Sequence, residues 1–141
     1  MAFLIDARTS QNASYANSIA VPITVLDTPQ LFGQIGLITE GVGANPRVQL
    51  TGTISLQIPL AVLVGTTISI VRGTEPTDPL VYSATETLEL SILAPAVLTF
   101  SAADFNPPIT PQLTYTVFVS VGVLGTVRVG PENFNGTLYS D

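Results

Sequence analysis

The chain has 141 residues, a formal net charge of −6, 46% hydrophobic and only 10% charged residues, and no cysteine, histidine or tryptophan. Its only cations are Arg8, Arg47, Arg72 and Arg128, which excludes the clustered positive charge that nucleic-acid binding or docking on an anionic membrane requires. The missing cysteine and histidine remove disulfides, thiolate chemistry and the commonest general base and metal ligand.

Taken from the start, residues 1–18 stand apart. Phe3-Leu4-Ile5 is a short apolar hook, followed by the polar, weakly patterned Ser10-Gln11-Asn12-Ala13-Ser14. This segment reads either as a disordered tail or, as its apolar hook favours, as an extended arm that docks on a neighbouring subunit by strand addition. It does not read as a signal peptide, because its apolar run is short and Asp6 and Arg8 interrupt it. Work outside a cell would then imply a signal-free exit. No stretch reaches the roughly 18 apolar residues of a membrane-spanning helix.

From residue 19 onward the dominant signal is alternation with a period of two, the mark of strands with one buried face. Ile19, Val21, Ile23 and Val25 alternate, and residues 35–39 read as a strand. From Arg47 to Ile58, Val48, Leu50, Ile54, Leu56 and Ile58 fall on one face, with Gly52 in the same row marking a bulge or a close backbone approach. Residues 66–71 are nearly all β-branched. Leu88, Leu90 and Ile92 alternate with polar residues, and Ser101–Phe105 would suit one helical turn. Gln112–Val123 forms a second long strand, and residues 125–130 with 134–139 read as a closing pair. Turn chemistry separates these pieces at residues 41–46, 73–79, 106–108 and 130–131. About eight to ten strands at this spacing imply an all-β antiparallel sandwich, jelly roll or barrel. The expected organisation is an arm over 1–18 and one domain over 19–141.

The residues offer little to chemistry. Without histidine or lysine the usual nucleophile triads fail, and Gly33-Gln34-Ile35-Gly36 and Gly41-Val42-Gly43 lack phosphate-loop spacing. The ten acids are scattered, so paired-carboxylate hydrolysis has no evident site. Glu75 and Asp78 share a Pro-rich loop that lacks the dense acids of a calcium site. Asn135-Gly136 reads as a turn. No enzyme activity, cofactor or metal is expected.

Two features point outward. Phe118 interrupts the polar face of a long strand, where it would either pack under a loop of its own domain or sit at a subunit interface, and Phe134, Leu138 and Tyr139 put apolar side chains on both faces of the last one. Together with the apolar composition this points to burial against copies of the chain.

The ending Pro131-Glu132-Asn133-Phe134-Asn135-Gly136-Thr137-Leu138-Tyr139-Ser140-Asp141 resembles the closing strand of tumour-necrosis-factor and complement-type jelly rolls. Residues 48–56 followed by 67–73 look similar to small jelly-roll proteins of the bacterial spore surface and to endospore appendage pilins. The resemblance spans roughly 19–141. It implies a ten-strand jelly roll forming a homotrimer, with Tyr115, Phe118, Phe134 and Tyr139 near the three-fold axis. It further implies trimers stacked head-to-tail into an extracellular spore-surface fibre through Phe3, Leu4 and Ile5, with the chain itself as partner beside a spore-surface anchor and a tip protein. Appendage pilins link through N-terminal cysteines, which this chain lacks, so its polymer would be held by non-covalent contacts. The same fold also suits a phage or viral fibre or capsid-decoration domain. A sugar-binding jelly roll would need an aromatic platform, and the proline-rich loops contain few aromatics.

Overall fold

Val48, Leu50, Ile54 and Leu56 of β4 (Arg47–Gln57) all lie fully buried between two β-sheets, as their alternation demands. The computed structural model describes residues 1–59, 61–90 and 95–141. The remaining strands are β1 (Phe3–Ala13), β2 (Val21–Pro22), β3 (Gln30–Ile38), β5 (Val62–Arg72), β6 (Leu80–Leu90), β7 (Ala96–Phe105), β8 (Gln112–Val121), β9 (Val127–Arg128) and β10 (Glu132–Ser140).

One sheet carries β1-β10-β4-β7, with β9 and β2 continuing β10 and β1 beyond the end of the ladder. The other is β3-β8-β5-β6. All pairings are antiparallel. The eight long strands thus wind as two Greek keys into a jelly-roll sandwich. Phe32, Ile35, Leu37, Ile68, Ile70, Phe100, Tyr115, Val117 and Phe134 join the β4 row to fill the space between the sheets.

The structure departs from the pattern reading at four places. Residues 3–13 are the edge strand of the larger sheet, hydrogen-bonded along β10, rather than a separate arm. An edge strand has one open side and a mostly exposed surface, so it carries no continuous oily row. Residues 101–105 belong to β7, because a ten-residue ladder with β4 overrides the weak helical leaning of Ala102-Ala103-Asp104. Asn135-Gly136 sits inside β10 rather than in a turn: Ile35 Cδ1 and Leu50 Cδ2 occupy the space a side chain at 136 would need. Finally, β9 and β10 do not pair with each other. They lie end to end along β4, joined through a cis Gly130–Pro131 bond. Ile92, placed in a strand by its spacing, lies outside the described residues.

The turns follow their chemistry. Asn45 and Asn106, each preceding a proline, take left-handed backbone conformations, as does Gly41. At Gly52 the ladder runs without a register shift, and the Phe100 ring covers the spot where a Cβ would stand.

Candidate assembly surface

The ionisable groups are used to hold the sandwich together. Arg72 at the end of β5 donates from Nε and Nη2 to the two carboxylate oxygens of Asp104 on β7, at 2.8 Å each. The Tyr115 hydroxyl donates to the same carboxylate at 2.7 Å. This clasp ties one sheet to the other. Burial, then the bond to Asp104, pushes the Tyr115 phenol well above its ordinary value.

A second clasp lies near β9. Arg128 donates from Nε to Glu132 Oε2 at 2.8 Å and from Nη2 to Oε1, and Asn12 of β1 donates to the same carboxylate and to the Phe32 carbonyl. Both charged partners are buried. Arg8 pairs with Asp6, and Arg47 with Asp141. All four arginines are therefore engaged, and among the described residues six of the ten side-chain carboxylates have no cation in an ion pair with them. These are Asp27, Glu40, Glu75, Asp78, Glu86 and Glu89, on loops or on β6.

In the Glu75–Asp78 loop, the Asp78 carboxylate accepts the backbone N–H groups of Thr74 and Glu75. Those bonds hold its pKa below the ordinary carboxylate value. The loop itself thus uses that carboxylate. Among the described residues no three metal-ligating side chains cluster.

Three of the four residues expected at a three-fold interface are buried within the protomer. Tyr115 and Phe134 are 0% exposed and Phe118 is 4% exposed. Tyr115 is committed to the Asp104 clasp. Phe134 packs its ring against Phe100 at 6.4 Å. Phe118 stands on the outer face of β8, an interior strand flanked by β3 and β5, with Leu31 and Ser69 as its cross-strand partners. Only Tyr139 reaches the surface, half-buried. Of the N-terminal hook, Phe3 and Leu4 are exposed while Ile5 packs against the core.

The exposed apolar side chains lie elsewhere. Register places Leu4, Tyr139, Arg47 and Phe105 directly opposite one another across β1, β10, β4 and β7, in one row on the outer face of the larger sheet. Leu4 is 61% and Phe105 71% exposed. The next rows hold only small or uncharged side chains: Ala7-Thr137-Gln49-Ala103, then Thr9-Asn135-Thr51-Ser101, then Gln11-Asn133-Thr53-Thr99. At the far end of this face a groove of about 350 Å³ is lined by Ile19, Gln57, Ile58, Pro59, Val127 and Val129, with the exposed Val97 close by on β7. Pattern alone does not single out Phe105, because it stands in the polar row of a strand whose alternation is faint. The one signal for it is its position just before the Asn106-Pro107-Pro108 turn, where a strand would end.

No protein-family model and no curated protein sequence matches the chain. Among solved structures it is similar to a chain of the T13 IBDV viral particle, at 9% identity and a TM-score of 0.50, over 96% of this chain and 35% of that one. It is likewise similar to a chain of the infectious bursal disease virus VP2 subviral particle, at 9% identity and a TM-score of 0.50, over 96% of this chain and 36% of that one. This chain thus spans about a third of the length of the chains it matches. Likeness at this identity is one of fold: the chain is an all-β antiparallel jelly-roll sandwich.

Proposed function

We propose that this chain is a self-assembling structural subunit, without catalytic activity, whose copies build a viral-particle-like shell or a fibre. The observation that carries this reading is the apolar surface left outside a filled core. Phe105, Leu63, Leu80, Leu124 and Leu4 stand more than half exposed at the two ends and on the faces of the sandwich. A protein with 10% charged residues has little polar surface with which to keep such side chains dispersed. The fold shared with viral-particle proteins supports the reading, as does the engagement of every arginine in an internal ion pair.

The narrower form is an extracellular fibre of stacked homotrimers, of the endospore-appendage kind, anchored to the spore surface and ending in a tip protein. It draws support from the resemblance of residues 19–141 to spore-surface jelly rolls and from the mixed polar and apolar ends of the sandwich. Any three-fold contact would have to use surface residues other than Tyr115, Phe118 and Phe134.

Negative-stain electron microscopy and light scattering on the concentrated protein test the proposal. Shells or rods support it, their shape choosing between particle and fibre. A monomer at all attainable concentrations overturns it.

A further inference from the structure

Resting on the reading that copies of this chain associate, we propose that the outer face of the β1-β10-β4-β7 sheet is a two-fold self-interface. The second copy lies on it with its strands antiparallel to the first. The two-fold axis then runs in the plane of the interface, across the strands, near the Thr51 and Thr53 rows. Such an axis exchanges the two ends of the face and preserves lateral position. Leu4 and Tyr139, on β1 and β10, come over the groove built around β9 and residues 19–20 of the other copy. Phe105, at one end of β7, comes over Val97 at the other. Each apolar end meets an apolar end twice, the reciprocity an isologous contact requires.

Charge selects this face and a second copy as its occupant. Two molecules of net charge −6 repel. The six carboxylates without a cation lie on loops and on β6, and none stands on a strand of the larger sheet. The only charge in the rows of the face is Arg47, already paired with Asp141. Stacking through this face brings together the surface with the least like charge. The opposite sheet would bring Glu89 of β6, which stands beside the exposed Leu63 on its outer face, toward the partner.

The area suffices. Four strands about 4.8 Å apart and a β4 of 11 residues rising about 3.3 Å each give a footprint of roughly 19 by 36 Å. That is about 700 Å² per copy and about 1,400 Å² in total, within the range of specific interfaces. The central rows of Thr, Asn, Gln and Ser supply hydrogen bonds, and their short side chains let sheets pack about 10 Å apart.

Sedimentation velocity over a concentration series tests this on the full chain, with Thr51→Arg and Ala103→Arg on the face and Ser83→Arg on the outer face of the other sheet. All three positions are exposed, and circular dichroism selects the variants that fold. Wild type and Ser83→Arg are expected to associate alike. Either arginine on the larger sheet is expected to weaken association more than about tenfold: at 51 like charges meet across the axis, and at 103 a charge is pressed onto the uncharged Thr99 row of the other copy. Mixing Thr51→Arg with Thr51→Glu should restore association. Folded Thr51→Arg and Ala103→Arg proteins that associate like wild type overturn the proposed face. If Ser83→Arg dissociates the protein instead, self-assembly stands and the other sheet carries it. A monomeric wild type overturns both readings.

Discussion

Arg72 and Asp104 face each other across the sandwich, one on each sheet, joined by two parallel hydrogen bonds of 2.8 Å. Asp104 is buried and Arg72 keeps partial contact with water. Removing one partner leaves the other charged and unsatisfied. Asp104→Ala is expected to cost about 2–4 kcal/mol, somewhat under the range for a fully buried pair because of that water contact. Arg72→Met in the same protein should add little, giving a coupling of about 1–3 kcal/mol in a double-mutant cycle read by urea unfolding. Additivity within about 0.5 kcal/mol would show that the clasp does not act as a unit.

The same clasp makes stability sensitive to alkali. Tyr115 in the folded protein holds its proton above the ordinary tyrosine value of 10.0, while the unfolded chain releases it there. A raised folded-state pKa contributes stability that is fully present below pH 10 and declines as pH rises beyond it. Tyr115→Phe loses the hydrogen bond to Asp104, costing about 1–2 kcal/mol near neutrality, and also loses this pH dependence. The gap in urea midpoint between wild type and variant should narrow on going from about pH 8 to above about pH 10. Parallel profiles would rule out the phenol as the source.

Strands whose two faces differ sharply are legible in the amino-acid order itself. β4 and β8 alternate almost without exception, and their inner residues form the centre of the core. β1 and β7 are not legible in this way, for opposite reasons. β1 is an edge strand held by backbone bonds to β10, so little in its side chains records the pairing. In β7, Val97 and Phe105 stand on the outer face opposite to Leu98 and Phe100, so apolar residues occupy both faces and the period is blurred. The assembly surface is half legible for the same reason. Excess oil is visible in composition, but which aromatic is inside depends on register. Phe134 and Tyr139 are five residues apart and so fall on opposite faces of β10. Tyr115 reads as an interface aromatic until Asp104, eleven residues away, is seen to accept its hydroxyl.

Gly52 is required by the Phe100 ring. A Cβ at position 52 would stand 2.2 Å from the ring's Cζ, and the ring is held by Phe32 at 6.2 Å, Tyr82 at 6.3 Å and Phe134 at 6.4 Å. It cannot yield without disturbing three neighbours, so Gly52→Ala is expected to cost about 1–3 kcal/mol. Gly136→Ala should cost less, because the terminal methyl of Ile35 is the first atom met and can rotate away. Thermal unfolding of both variants checks the order, and adding Phe100→Leu to Gly52→Ala should recover part of the loss. A neutral Gly52→Ala would mean that the ring does not occupy this place.

Deleting residues 1–13 distinguishes an edge strand from an appendage. A docking arm could be cut away with the domain intact, leaving only assembly impaired. Here the cut strips β10 of its partner along nine residue pairs and turns a covered interior strand into a raw edge, which invites aggregation. It also takes away Asn12, whose side chain donates to the buried Glu132 carboxylate, leaving that lone pair without its hydrogen bond. The truncated chain is therefore expected to lose several kcal/mol and to be largely insoluble or unfolded, as read by its soluble yield and far-ultraviolet circular dichroism. A soluble truncated protein with an unchanged melting temperature would show that β1 adds nothing to the domain and would return residues 1–13 to the role of an arm.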